Sequence, residues 1–247
     1  MGCSAGSREP SPPRPRAGNL ALSGRAASSL AWVGALAALL FAGAALAQPS
    51  IFLEELTSPE VRDAVRSGKT TVLVPIGGTE WNGAHIVLGK HNARARYLAA
   101  RIAGKLGNAL VAPVIAYVPE GRIEPPSQHM KHPGTITIPD DAFEKTLESA
   151  AKSLQHHGFT TVVLLGDHGG YAKSLRNVAR RVKGVLAPDE YYREMEHAGM
   201  EDTAATLAVD SKLVRDPKGA STEEGRAILE GIIDRTSESV NKALARR

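Results

Sequence analysis

Three short apolar runs rich in β-branched residues constrain this chain most: residues 70–76 (TTVLVPI), 110–118 (LVAPVIAYV) and 160–165 (TTVVLL). None alternates between apolar and polar residues, so each is suited to a strand buried on both faces, as in a parallel sheet covered by helices. Helical patterns separate the runs. Residues 92–106 place Tyr97, Leu98, Ile102 and Leu106 at helical spacing and stop at Gly107. Residues 141–157 open with Asp141 and Glu144, the spacing of a capping box, and stop at Gly158. Two further helices are expected over 172–183 and 222–244, the latter opened by Ser221 and Glu224. The order of strands and helices predicts a layered α/β/α fold with a mostly parallel central sheet.

The net charge of +4 arises mostly outside this pattern. Arg8, Arg14, Arg16 and Arg25 precede residue 47 with only Glu9 to offset them, and the remainder carries 26 basic and 25 acidic side chains. A near-neutral body lacks the dense basic face of a nucleic-acid binder. The single cysteine, Cys3, is also in the leader, which excludes a disulfide, a cysteine zinc site and a cysteine nucleophile from the body. An apolar stretch over residues 30–44 ends in Ala45-Leu46-Ala47, the form of a signal peptide with its cleavage site. We read residues 1–47 as a signal peptide and 48–247 as one compact α/β domain, exported to the periplasm or secreted and touching the membrane only during export. The alternative is an uncleaved N-terminal anchor.

Ligands of open parallel sheets bind beyond the carboxyl ends of the strands. The first run exits into residues 77–85 (GGTEWNGAH) and the third into residues 166–171 (GDHGGY), so both loops are expected on one sheet edge. They bring Glu80, His85, His91, Asp167 and His168 together, a nitrogen and oxygen donor set that suits Zn²⁺, Mn²⁺ or Fe²⁺. For an arbitrary histidine a packing or capping role is the more common one. Here the glycines around Asp167 and His168 add weight, because they let the backbone turn sharply beside a ligand. The segment 197–203 (HAGMEDT) reads as a third polar cluster, or as a solvated turn before the apolar residues 204–209. His129 and His132 flank a Pro-Gly turn near the same edge, without an assigned role. No G-x-S-x-G elbow supports a serine hydrolase.

Four ordered segments resemble the creatininase family. Residues 74–91 (VPIGGTEWNGAHIVLGKH) are similar to its strand and G-S-x-E-Q-H-G-P-H-L-P signature with a later T-D. HPGTIT (132–137) resembles F-P-G-T-I-T, LGDHGGY (165–171) resembles N-G-H-G-G-N, and HAGMEDT resembles H-A-G-x-x-E-T. The resemblance implies an α/β amidohydrolase, commonly hexameric, that uses divalent metal to cleave carbon–nitrogen bonds of small-molecule amides. It implies metal binding by Glu80 and His168 and proton handling by His197, which Asp202 is expected to orient. Asn82 stands at a family histidine and His91 at the bridging aspartate. A carboxylate offers two oxygens to two cations, an imidazole one lone pair to each, so one ion is expected rather than two. Glu80, His91 and His168 are then its ligands, with Asp167 as a fourth or as a partner that orients a histidine. Trp81, Asn82, His85 and Tyr171 are expected to line the substrate pocket. The rival expectation is an exported solute- or metal-binding protein that kept the fold without the chemistry.

Overall fold

A computed structural model describes residues 50–246. The signal peptide read from residues 1–47 lies outside the described residues. A short helix α1 (Ser58–Arg66) leads into strand β1 (Thr71–Ile76), and α2 (Lys90–Leu106) then precedes β2 (Ala109–Val111). After a long segment come α3 (Asp140–His156), β3 (Thr161–Gly166), α4 (Ala172–Arg181), β4 (Val185–Leu186), α5 (Met200–Val209) and α6 (Thr222–Leu244). The strands form one parallel sheet in the order β2-β1-β3-β4. β1 and β3 pair along their full length, from Thr71 opposite Thr161 to Ile76 opposite Gly166.

The runs apolar on both faces are buried on both faces. Val72, Val74, Val162 and Leu164 pack with Phe143 and Leu147 of α3 and with Leu175 and Val178 of α4. Leu73, Val163 and Leu165 pack oppositely, with Leu98 and Ile102 of α2 and Leu229, Ile232 and Ile233 of α6. Among the described residues no helix is long and apolar enough to cross a membrane.

Differences from the sequence reading have local causes. The run over 110–118 pairs as a strand only through Val111, because Pro113 has no N–H for a ladder. The chain nevertheless follows β1 beyond the break, Ile115 N–H donating to Pro75 O at 3.0 Å and Ile115 O accepting from Gly77 at 3.0 Å. The capping box expected at Asp141 does not form. The helix starts one residue earlier after Pro139, and Glu144 is drawn to Arg181 at 2.6 Å and Asn177 at 2.9 Å. The cap of α6 forms as expected, Ser221 Oγ accepting from Glu224 N–H at 3.1 Å. Residues 200–209, read as a turn and apolar stretch, are one helix with Asp202 and Thr203 buried.

Candidate metal centre

The carboxyl ends of β1 and β3 are adjacent, so the loops leaving them share the sheet edge, and a third segment over residues 118–137 completes the site. Close packing fixes the first loop. A side chain at Gly77 would meet Asn92 backbone and side-chain atoms within 2.7 Å. Gly78 has φ +149°, and a Cβ there would stand 2.7 Å from Glu120 Oε1. The Tyr171 hydroxyl donates to Gly77 O at 2.7 Å, with Ile76 O at 3.0 Å, joining the end of β1 to the turn after β3.

Glu80 and Glu120 are both fully buried. The two oxygens of Glu80 point to different groups. Oε1 is 2.8 Å from His91 Nε2 and 3.6 Å from His197 Nδ1. Oε2 is 3.2 Å from His129 Nε2 and 3.7 Å from His168 Nε2. No N–H or hydroxyl donates to Oε2 or to either oxygen of Glu120, so only a proton held on Glu120 toward Glu80, or a cation, can satisfy them. Buried carboxylate oxygens without partners are costly unless a cation meets them. Glu80, Glu120, His129 and His168 can each bring one ligand atom to within 4.8 Å of the others. Two carboxylates and two imidazoles suit Zn²⁺, Mn²⁺ or Fe²⁺, so these residues fit a divalent ion.

The electrostatics follow from this crowding. Burial and the neighbouring Glu80 carboxylate push the Glu120 carboxyl up to about 10. Burial acts on Glu80 in the same direction, but its bond to His91 and the nearby histidines outweigh it and hold its carboxyl low. Burial depresses His168 to about 4 and also lowers His197, leaving both rings neutral at pH 7.

Behind the cluster lies a closed charge network. Arg94 Nε donates to Asp167 Oδ2 at 2.8 Å and Nη1 to Asp202 Oδ1 at 2.7 Å. Lys90, also buried, donates to Asp202 Oδ2. Burial disfavours the charge on Asp202, but Arg94 and Lys90 hold its carboxyl well below the usual range. Asp202 also accepts from Ala198 N–H at 2.9 Å, which fixes the backbone beside His197.

The structure thus places the expected residues in different roles. Glu80 and His168 are in the four-residue set. His91 is beside it, with Nε2 facing Glu80 and Nδ1 facing Asp167 Oδ2 at 2.7 Å. Asp167 therefore orients a histidine. Asp202 does not touch the His197 ring, whose Nε2–H donates to Trp81 O at 2.8 Å. Trp81 forms a wall, stacked on His132 at 4.1 Å between ring centroids and on His197 at 5.9 Å. Asn82 ties its own loop, Nδ2 donating to Glu80 O and Val87 O, each at 3.0 Å. His85 is buried against Thr203, Nε2 to Oγ1 3.1 Å, and Tyr171 is buried beneath the strand ends.

Glu120 and His129 are the members that sequence reasoning missed. The available signal was Val118-Pro119-Glu120-Gly121, an acid between Pro and Gly directly after an apolar run, much as Asp167-His168-Gly169 follows β3.

Comparison with known proteins places the fold and the family. Over 169 residues the chain is 27% identical to creatinine amidohydrolase of Pseudomonas putida, covering 68% of this chain and 60% of the relative's length. It is 21% identical over 218 residues to 3-dehydro-scyllo-inosose hydrolase of Thermotoga maritima, covering 79% and 68%. Among solved structures, a mutant creatininase of Zn-Zn type aligns with a TM-score of 0.66 at 21% identity, covering 79% of this chain and 99% of that one. Another, described as Creatininase Mn, aligns with a TM-score of 0.63 at 21% identity, covering 78% and 98%. The family model for creatininase, described as creatinine amidohydrolase, matches residues 54–218, and the chain belongs to the creatininase family.

Proposed function

We propose that this protein is a metal-dependent amidohydrolase that hydrolyses a non-peptide C–N bond of a small-molecule amide or cyclic amide. The observation that carries this reading is the set of three unpartnered, buried carboxylate oxygens on Glu80 and Glu120, faced by His129 and His168. One divalent ion, zinc or else manganese or iron, is held by these four side chains. Charge balance supports one ion: Glu80, Glu120, Asp167 and Asp202 place four carboxylates in the buried site, and Lys90 and Arg94 supply two fixed cations. A single divalent ion makes up the difference.

When bound, the ion supplies the Lewis acidity that amide hydrolysis requires. The protein's own groups do the rest. Because Nε2–H of His197 is committed to Trp81 O, the lone pair at Nδ1 is the free one, and burial keeps it unprotonated at neutral pH. Nδ1 therefore accepts the proton of the attacking water and returns it to the leaving nitrogen. Trp81, stacked between His132 and His197, holds the His197 ring in place and walls that side of the site against water. A groove of about 630 Å³ lined by Arg122, Ile123, Ser127, Thr137 and Asp140 adjoins the segments carrying Glu120 and His168, with room for the remainder of the substrate.

The test is turnover of a panel of lactams, formamides and cyclic ureas by metal-loaded protein. Hydrolysis that chelator abolishes and metal restores supports the proposal; a metal-loaded protein inert on every member leaves the rival, a non-catalytic exported binding protein. That rival draws on Asn82, whose Nδ2 is tied to its own loop, and on His91, both of whose ring nitrogens face carboxylates. The reading also includes export by the leader, checked by sequencing the mature N-terminus. Homo-oligomeric assembly, a hexamer by family resemblance, belongs to the same reading and is checked by light scattering.

A further inference from the structure

His91 lies where a cation belongs. Its ring sits between two buried carboxylates, Nε2 2.8 Å from Glu80 Oε1 and Nδ1 2.7 Å from Asp167 Oδ2. Glu80 is divided accordingly, with Oε2 turned to His129 and His168 and Oε1 turned to His91. A carboxylate whose two oxygens are directed to two separate sets of groups has the geometry to bridge two cations. The small cavity of about 80 Å³ on the far side of the ring, lined by His91, Asp167 and His168, is also lined by Lys90, Arg94 and Arg193, so a second cation finds no room there while the ring stays in place.

We infer that the His91 side chain occupies the seat of a second divalent ion, so that the protein carries a built-in imidazole where a two-metal centre would carry metal. The inference rests on the metal reading above. It assigns His91 a role opposite to that of a ligand: it completes the coordination of Glu80 and Asp167 by hydrogen bonds and closes the second seat. Arg94, which holds Asp167 from the other side, fixes that carboxylate and with it the ring of His91. A second ion at Glu80 Oε1 would have to displace the ring from both carboxylates.

Metal content tests this directly. The wild-type protein, saturated with Zn²⁺ and freed of excess by gel filtration, is expected to hold one ion per chain by elemental analysis. His91→Asp is expected to hold two, because the ring that closes the seat is then gone and a third carboxylate joins Glu80 and Asp167 there. One ion in both proteins overturns the inference and leaves the metal reading standing; two in the wild type also overturns it. Should His91→Asp fail to fold, the zinc-loaded wild type decides by anomalous scattering. A peak among Glu80, Glu120, His129 and His168, with His91 still between its two carboxylates, supports the inference. A peak at zinc–nitrogen distance, about 2.0–2.1 Å, from His91 Nε2 overturns it. A protein that retains no zinc overturns the metal reading itself, an outcome distinct from the others.

Discussion

Arg94 joins Asp167 to Asp202: one guanidinium, buried on α2, bonds the carboxylate after β3 through Nε and the carboxylate at the start of α5 through Nη1. The loops that carry His168 and His197 are thereby fixed to a single side chain. Arg94→Met removes that cation and leaves two buried carboxylates short of a partner. The expected loss is about 3–5 kcal/mol, the cost typical of breaking a buried ion pair. Urea denaturation of the two proteins measures it, and a change under 1 kcal/mol contradicts the assignment.

Glu120→Gln separates metal binding from folding. The carboxyl of Glu120, pushed up to about 10, is protonated at pH 7 in the metal-free site, and an amide is its near-isostere. The metal-free melting temperature is therefore expected to change little. Metal-induced stabilisation, which grows with the ratio of metal concentration to Kd, is expected to fall away because the charged ligand is gone. Thermal denaturation with and without Zn²⁺ tests both parts.

The same group sets a pH dependence. Metal must displace the proton of Glu120, whereas His168, depressed to about 4, binds without releasing one. Affinity is expected to rise about tenfold per pH unit between pH 6 and 8, one proton leaving per ion. In the metal-free protein the sign reverses for stability. The folded state holds the Glu120 proton more tightly than the unfolded state, so this contribution is intact below about pH 4.3 and is lost as pH rises through about 10. Calorimetry in buffers of differing ionisation enthalpy counts the protons; a count of zero excludes Glu120 as a ligand.

His197→Ala tests the proton path. The ring does not belong to the four-residue ligand set, so metal content is expected to hold at the wild-type value while kcat falls about 10²–10⁴-fold, the range of general acid–base catalysis. Loss of metal together with activity would move His197 from proton transfer to coordination.

The sequence made the sheet legible because β1 and β3 are buried on both faces, and unbroken apolar runs are the pattern such strands leave. β4, two residues long, carries too few positions to show a period. In the site, Glu80 and His168 follow those strands directly and could be placed from topology. His129 could be put near the edge but not assigned, since its distance to Glu80 depends on how residues 119–132 turn back. The partnership of Asp202 with Arg94 and Lys90 likewise pairs residues 108 and 112 positions apart, beyond any local pattern.

The long segment before α3 gives the four-residue set an uneven foundation. Glu80 and His168 stand at the ends of fully paired strands, and Glu120 N–H is pinned to Thr137 Oγ1 at 2.9 Å. His129 rides instead on residues 122–131, whose backbone hydrogen bonds close within the segment: Ser127 N–H on Arg122 O, Met130 N–H on Ser127 O. Such a stretch opens locally at lower free energy than the sheet. Exchange of the bound ion is thus expected to follow the opening rate of this one segment, and amide hydrogens there should gain protection on metal loading while those of β1 and β3 stay slow throughout.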